Sequence, residues 1–200
     1  MRDNSHSHYR KSIRLQGYDY ALPGGYFVTI ATHKRKPIFG RIVDFEMELN
    51  SYGEVAVACW EEIPSHFEKI LLDAFVIMPN HVHGIILTQE SQTIIENPGA
   101  TTEVPPEGHV YPTHAAALRL DKETPNSPRK PASLGVIMNS YKAAVTKILH
   151  RQQGLPHHPI WQSNYYERII RNERELNAIR AYILENPLNW TSDPENKDVR

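Results

Sequence analysis

The sequence predicts an α+β fold: a small antiparallel sheet with helices packed on one face, in the ferredoxin-like manner. Three observations carry that expectation. Segments with strand and helix patterns follow one another as strand, helix, two strands, helix, strand, helix. The two central strand patterns are separated only by Pro79-Asn80, which marks a hairpin. The helical segments gather their apolar residues on one side, so each has a face to bury.

The first strand is residues 26–32, YFVTIAT, alternating and β-branched after Pro23-Gly24-Gly25. A helix starts at Asn50, with Val55, Ala58 or Cys59, and Ile63 on its inner side. Residues 71–78 and 81–88 are the hairpin strands. A second helix begins at Ser133 and stops at Gly154, with Val136, Tyr141, Val145 and Ile148 at helical spacing. The aromatic run IWQSNYYERII is a further strand or extended segment. Asn172 then caps a last helix, Glu175 completes the capping-box pattern, and Leu176, Ile179 and Ile183 form its apolar side before Pro187 closes it. One domain spans 1–200, with a mobile polar arm over 1–12 and a long insertion or loop over about 89–131, rich in Pro, Thr, Ser and Glu.

Composition narrows the class. A chain of 200 residues with 40% hydrophobic and 22% charged content can bury a core. No apolar stretch approaches the roughly 20 residues that cross a bilayer, and the polar N-terminus is unlike a signal peptide. A single cysteine, Cys59, excludes a disulfide framework and favours a cytoplasmic protein. Acids dominate residues 44–73 and cations residues 129–174, which suggests one basic surface for a polyanion, although solvated helix faces give the same pattern.

The chemistry centres on MPNHVHGIIL, residues 78–87. On a strand, His81 and His83 project from the same face, about 6.5–7 Å apart at the backbone, so both imidazoles can reach one metal ion. His-x-His by itself also fits a hydrogen-bonded core pair, and no further His or Asp follows nearby to support a zinc hydrolase. In RNERELNAIRAYILENP, Tyr182 and Asn186 are four residues apart and share a helix face. The Asn186 amide oxygen could complete a three-ligand site, with the Tyr182 phenol beside the ion. Tyr141, in the helical SYKAAVTK, is the rival nucleophile, but Val145 stands where Asn186 stands relative to Tyr182 and cannot bind metal.

The order NHVHGII, WQSNYYERIIRNERE and AYILENPLNW resembles the REP-associated tyrosine transposases, relatives of single-tyrosine insertion-sequence transposases within the HUH (His-hydrophobic-His) nucleases. The likeness runs from about Tyr26 to Trp190, apart from the insertion-like middle. It implies that His81, His83 and Asn186 bind a divalent metal, Mg2+ or Mn2+, and that Tyr182 is the nucleophile. Many related transposases carry Gln where Asn186 stands. Two imidazoles are softer ligands than Mg2+ usually selects, which makes Mn2+ the better fit in vitro. The implied activity is metal-dependent cleavage and transfer of single-stranded DNA through a 5′-phosphotyrosine link. The alternative is a DNA-binding protein of the same fold that has lost cleavage.

The implied partner is single-stranded or hairpin DNA, with no membrane, and the chain a monomer or homodimer. Trp161, Tyr165 and Tyr166 beside Arg168, Arg171 and Arg174 supply the rings and cations suited to exposed bases and phosphates, and one of the two tyrosines faces the core. Lys34, Arg35 and Lys36 could add phosphate contacts.

Overall fold

Burial along the first strand decides the architecture. In β1 (Gly24–Ala31), Tyr26, Val28 and Ile30 join one apolar cluster while Phe27 joins another, so the strand is covered on both faces. The protein is described by a computed structural model over residues 24–89, 133–153 and 158–196. There β4 (Ile70–Met78), β5 (His81–Thr88), β1 and β6 (Tyr166–Ile170) form a four-stranded antiparallel sheet in the order β4-β5-β1-β6. With α1 (Ser51–Glu61) and α3 (Leu134–Gln153) as the two crossovers, this is the expected α+β, ferredoxin-like arrangement.

Those two helices cover one face. Val55, Ala56, Cys59 and Trp60 of α1 and Leu134, Ile137, Met138, Tyr141, Val145 and Leu149 of α3 meet Val28, Ile30, Val82 and Ile86 of the sheet. A third helix, α4 (Glu173–Leu184), lies over the opposite face, where Ile179 and Ile183 pack with Phe27, Val76 and Ile85. Arg180 fastens α4 to the sheet by donating to the Asp73 carboxylate of β4.

Local chemistry explains the element ends. Asn50 Oδ1 accepts from the N–H groups of Tyr52 and Gly53, capping α1, and a short helix α2 (Ile63–His66) follows it. Asn172 Oδ1 accepts from Glu175 N–H at 2.9 Å, as the capping-box pattern predicts. The Glu175 side chain reaches one residue further back than expected, to Arg171 N–H.

Some sequence expectations need correcting. Val136 is exposed; the turns of α3 bury Leu134, Ile137 and Met138 instead. Cys59, not Ala58, is the inward residue of α1. A second hairpin, β2 (Gly40–Val43) with β3 (Glu46–Leu49), was not legible as such; its tip residues, Asp44 and Phe45, both have positive φ. The arm over 1–12 and nearly all of the 89–131 insertion lie outside the described residues. Among the described residues, no helix is long and apolar enough to cross a membrane.

Candidate active site

Alternation along β5 turns Val82, Gly84 and Ile86 toward the α1/α3 layer and His81, His83 and Ile85 toward α4. The two imidazoles therefore sit side by side, ring centroids 4.4 Å apart, and both are buried. Each is oriented through Nδ1. Asn80 Nδ2 donates to the carbonyls of Arg35 and Glu195, at 3.2 and 2.8 Å, so Asn80 Oδ1 faces His81 and accepts from its Nδ1 at 2.8 Å. Directly across the β1/β5 ladder, Thr29 Oγ1 lies 2.8 Å from His83 Nδ1. Both Nε2 atoms are left for one shared space, the arrangement of metal-ligating histidines with a supporting partner on the far nitrogen.

Other groups close on that space. The Tyr182 hydroxyl, from α4, is 3.3 Å from His83 Nε2. Asn186 follows the end of α4 and borders both His81 and Tyr182 closely enough to influence their protonation, although its buried Oδ1 meets no hydrogen-bond donor among the described residues. His81 Nε2 is likewise buried and without a hydrogen bond among the described residues. Asp193 Oδ2 is 4.0 Å from His81 Nε2, while its Oδ1 accepts from Glu195 N–H. The ligand atoms of His81, His83 and Asp193 all lie within 4.8 Å of one another, close to the spacing of donors held about 2.0–2.3 Å from one ion. Two orphaned lone pairs, on His81 Nε2 and Asn186 Oδ1, beside a carboxylate make this donor set fit a divalent cation.

Asp193 was missed at the sequence level. Its signal was faint: one of three acidic residues beyond Asn186-Pro187, in a segment without periodicity. The fold delivers it by a strap. Arg35 pairs with Glu195 and donates to Pro194 O, and Asn196 Nδ2 donates to Trp190 O.

Burial governs the electrostatics. His81 is pushed down to about 3, by burial first and then by the Arg35 charge, against the opposing effect of Asn186. His83 is held well below its ordinary value by burial and by His81, with Asp193 opposing. Both are neutral, as ligands must be. Tyr182 is raised, first by burial and then by Asp193 and Glu195, with Asn186 opposing. Phe27 forms the floor, stacked on His83 at 5.4 Å between centroids and edge-on to Tyr182 at 6.0 Å.

The remaining candidates separate clearly. Tyr141 is buried, donates to Ala56 O at 3.2 Å and is pushed well above the usual phenol range by burial, so it is a core residue and no rival to Tyr182. Cys59 is also buried, its thiol pushed to about 11 by burial. Trp161 is packed in the core against Phe39 and Tyr141, with its indole N–H on Lys142 O, which removes it from the expected stacking set. Tyr165 packs against the core and Tyr166 is half exposed on the Tyr182 side, edge-on to Phe27. Arg168 pairs with Glu175, while Arg171 and Arg174 are exposed. Arg35 is occupied by the strap.

The expected single basic surface divides. Lys142 and Lys147 line an open groove of about 590 Å³ between α3 and residues 158–163, on the layer opposite the histidines.

Comparison with known proteins then places the chain. It is 36% identical over 192 residues to an uncharacterized protein of Haemophilus influenzae (strain ATCC 51907 / DSM 11121 / KW20 / Rd), covering 95% of this chain and 94% of the other. The two chains belong to one family. No known family profile matches the sequence. The chain is also similar to a REP-associated tyrosine transposase solved bound to a REP hairpin, at 16% identity and a TM-score of 0.49, covering 88% of this chain and 74% of that one. A Deinococcus radiodurans R1 protein provisionally described as a transposase is similar at 18% identity and a TM-score of 0.36, covering 87% and 96%. At those values neither likeness says what this family does.

Proposed function

We propose that the chain is a metal-dependent, transposase-like endonuclease and strand transferase acting on single-stranded or hairpin DNA. In this reading Tyr182 is the nucleophile, and His81, His83 and Asn186 hold Mg2+ or Mn2+, with Asp193 adding a carboxylate. The observation that carries it is the Tyr182 hydroxyl 3.3 Å from His83 Nε2, at the edge of a buried donor set with two orphaned lone pairs. A phenol placed there can reach the same phosphate that the ligands' cation would bind.

A bound cation would draw charge from the non-bridging oxygens of the scissile phosphate and ease loss of the phenol proton. The protein's own contribution is position. Phe27 and α4 hold the Tyr182 ring, and the aromatic floor would shield one side of a phosphate bound there. Attack forms a bond from the Tyr182 oxygen to phosphorus as the bond to the preceding 3′ oxygen breaks. The phenol loses a proton and the leaving oxygen ends as a 3′-OH, so the exchange balances without a high-energy cofactor. Rejoining is the same step reversed, with a 3′-OH as attacker. Tyr166, Arg171 and Arg174 are the exposed residues best suited to the bases and phosphates of the strand.

The test uses the native chain, Mn2+ and one oligonucleotide labelled at either end. A denaturant-resistant adduct should carry the 3′ label, while the 5′-labelled fragment is released. Tyr182→Phe should lose the adduct and keep binding. An undiminished adduct in that variant sinks the nucleophile assignment. Binding by the native chain with no adduct favours a DNA-binding protein without cleavage.

A further inference from the structure

The tip of the β2/β3 hairpin carries a feature the site does not use. Asp44 and Phe45 have φ of 49° and 66°, left-handed values that Gly, Asn or Asp ordinarily supplies in a two-residue hairpin loop, so Phe45 is the unusual residue. Phe45 is also 63% exposed, so no packing within the fold accounts for an aromatic ring there. An exposed ring at a strained position is the kind of outlier from which function is inferred. Beside it lies a cleft of about 260 Å³, walled by Ile42, Asp44, Phe45, Leu188, Trp190 and Thr191. The same Trp190 stacks on His81, centroids 6.1 Å apart and planes 29° from parallel. The cleft thus shares a wall with the candidate metal site.

We infer that this cleft receives one unpaired base of the DNA strand, next to the scissile phosphate, with its ring against Phe45 and Trp190 and its amino edge at Asp44. The inference rests on the proposed nuclease function and names a subsite for it. The lining chooses the occupant. Among the described residues the lining holds one charged group, the Asp44 carboxylate, which repels a phosphate and accepts from N–H donors. Two rings at its edge suit a flat heterocycle, and a carboxylate suits the exocyclic amine of cytosine. Thymine, which has no exocyclic amine, should bind less well.

The experiment measures binding of labelled single strands in which an abasic residue replaces each position around the cleavage point in turn. One position should weaken binding to the native chain by about fivefold, the low end of what a stacked base contributes. Phe45→Asn keeps the left-handed turn but removes the ring; it should lose the same factor on the intact strand and become insensitive to that abasic position. Asp44→Asn should narrow the preference for cytosine over thymine there. If Phe45→Asn binds and cleaves intact and abasic strands as the native chain does, the cleft proposal falls and the nuclease reading stands. If the native chain neither binds nor cleaves any strand, both fall. A lowered melting temperature for Phe45→Asn without DNA would mean that the chain fills the cleft itself, which also overturns the proposal.

Discussion

Replacing Gly84 by Ala tests how tightly the histidine strand is tied to the core. A Cβ at Gly84 would stand 2.2, 2.7 and 3.0 Å from three carbons of the Trp60 indole. Ordinary contact begins near 3.4 Å, so the ring must retreat by about 1.2 Å. It has little room to do so. Trp60 is fully buried, stacked on Phe75 at 5.9 Å and edge-on to Tyr141 at 5.1 Å. Overpacking of this kind costs about 1–3 kcal/mol, and a rigid bicyclic neighbour puts it near the upper end. At roughly 3 kcal/mol, the midpoint of thermal unfolding should fall by ~6–12 °C for a chain of this size. The control is Gly25→Ala, whose Cβ would come no nearer than 3.3 Å to its neighbours, the Ile170 and Leu87 side chains, so a shift of a few tenths of an ångström accommodates it. Equal shifts for the two variants would refute the reasoning. Combining Gly84→Ala with Trp60→Phe should cost less than the sum of the single changes, because the smaller ring makes room for the methyl.

Two further outcomes follow from α4. Asp73 is held below its ordinary value chiefly by its hydrogen bond to Arg180, so the ionised pair contributes stability above the unfolded carboxyl value of about 3.9 and loses it as pH falls through the lowered folded value. The stability gap between the native chain and Asp73→Asn, on the order of 1 kcal/mol for a partly exposed pair, should be present at pH 7 and close in acid; a gap constant across that range would contradict the assignment. Asn172→Ala should cost about 1 kcal/mol through loss of the cap, seen as faster hydrogen exchange at the Glu175 N–H; an unchanged rate there would show that the cap does not hold the helix end.

Much of this was readable because the relevant patterns are local. Period-two alternation around Pro79-Asn80 is enough to find the β4/β5 hairpin, and it puts His81 and His83 on one face whatever the rest of the chain does. Asn172 and Glu175 announce the start of α4 for the same reason. What resisted reading depended on partners distant in sequence. Tyr141 and Tyr182 both lie on amphipathic helices, and only the side of the sheet each helix covers makes one a core residue and the other a neighbour of His83. Trp161 sits beside Tyr165 and Tyr166 in sequence, but a bridge to Thr32 and contact with Phe39 draw it inward. Asp193 reaches His81 only because Arg35 and Asn80, more than 100 residues away, anchor its strap.

That strap bears on why the site is assembled before any ligand arrives. The Asn80 amide cannot turn over without losing both carbonyl acceptors, one in the strap and one in the turn after β1. Held in that sense, it fixes the proton of His81 on Nδ1 and frees Nε2 for the shared space. The same amide therefore sets the tautomer of one candidate ligand and the position of the chain that carries another, Asp193. On the opposite side of β5, the close approach of Trp60 to Gly84 presses the core against the backbone immediately after His83. The Nε2 pair is thus constrained from the strap side by hydrogen bonds and from behind by packing. Little reorganisation should then accompany cation binding, because the ring orientations it requires already belong to the folded state.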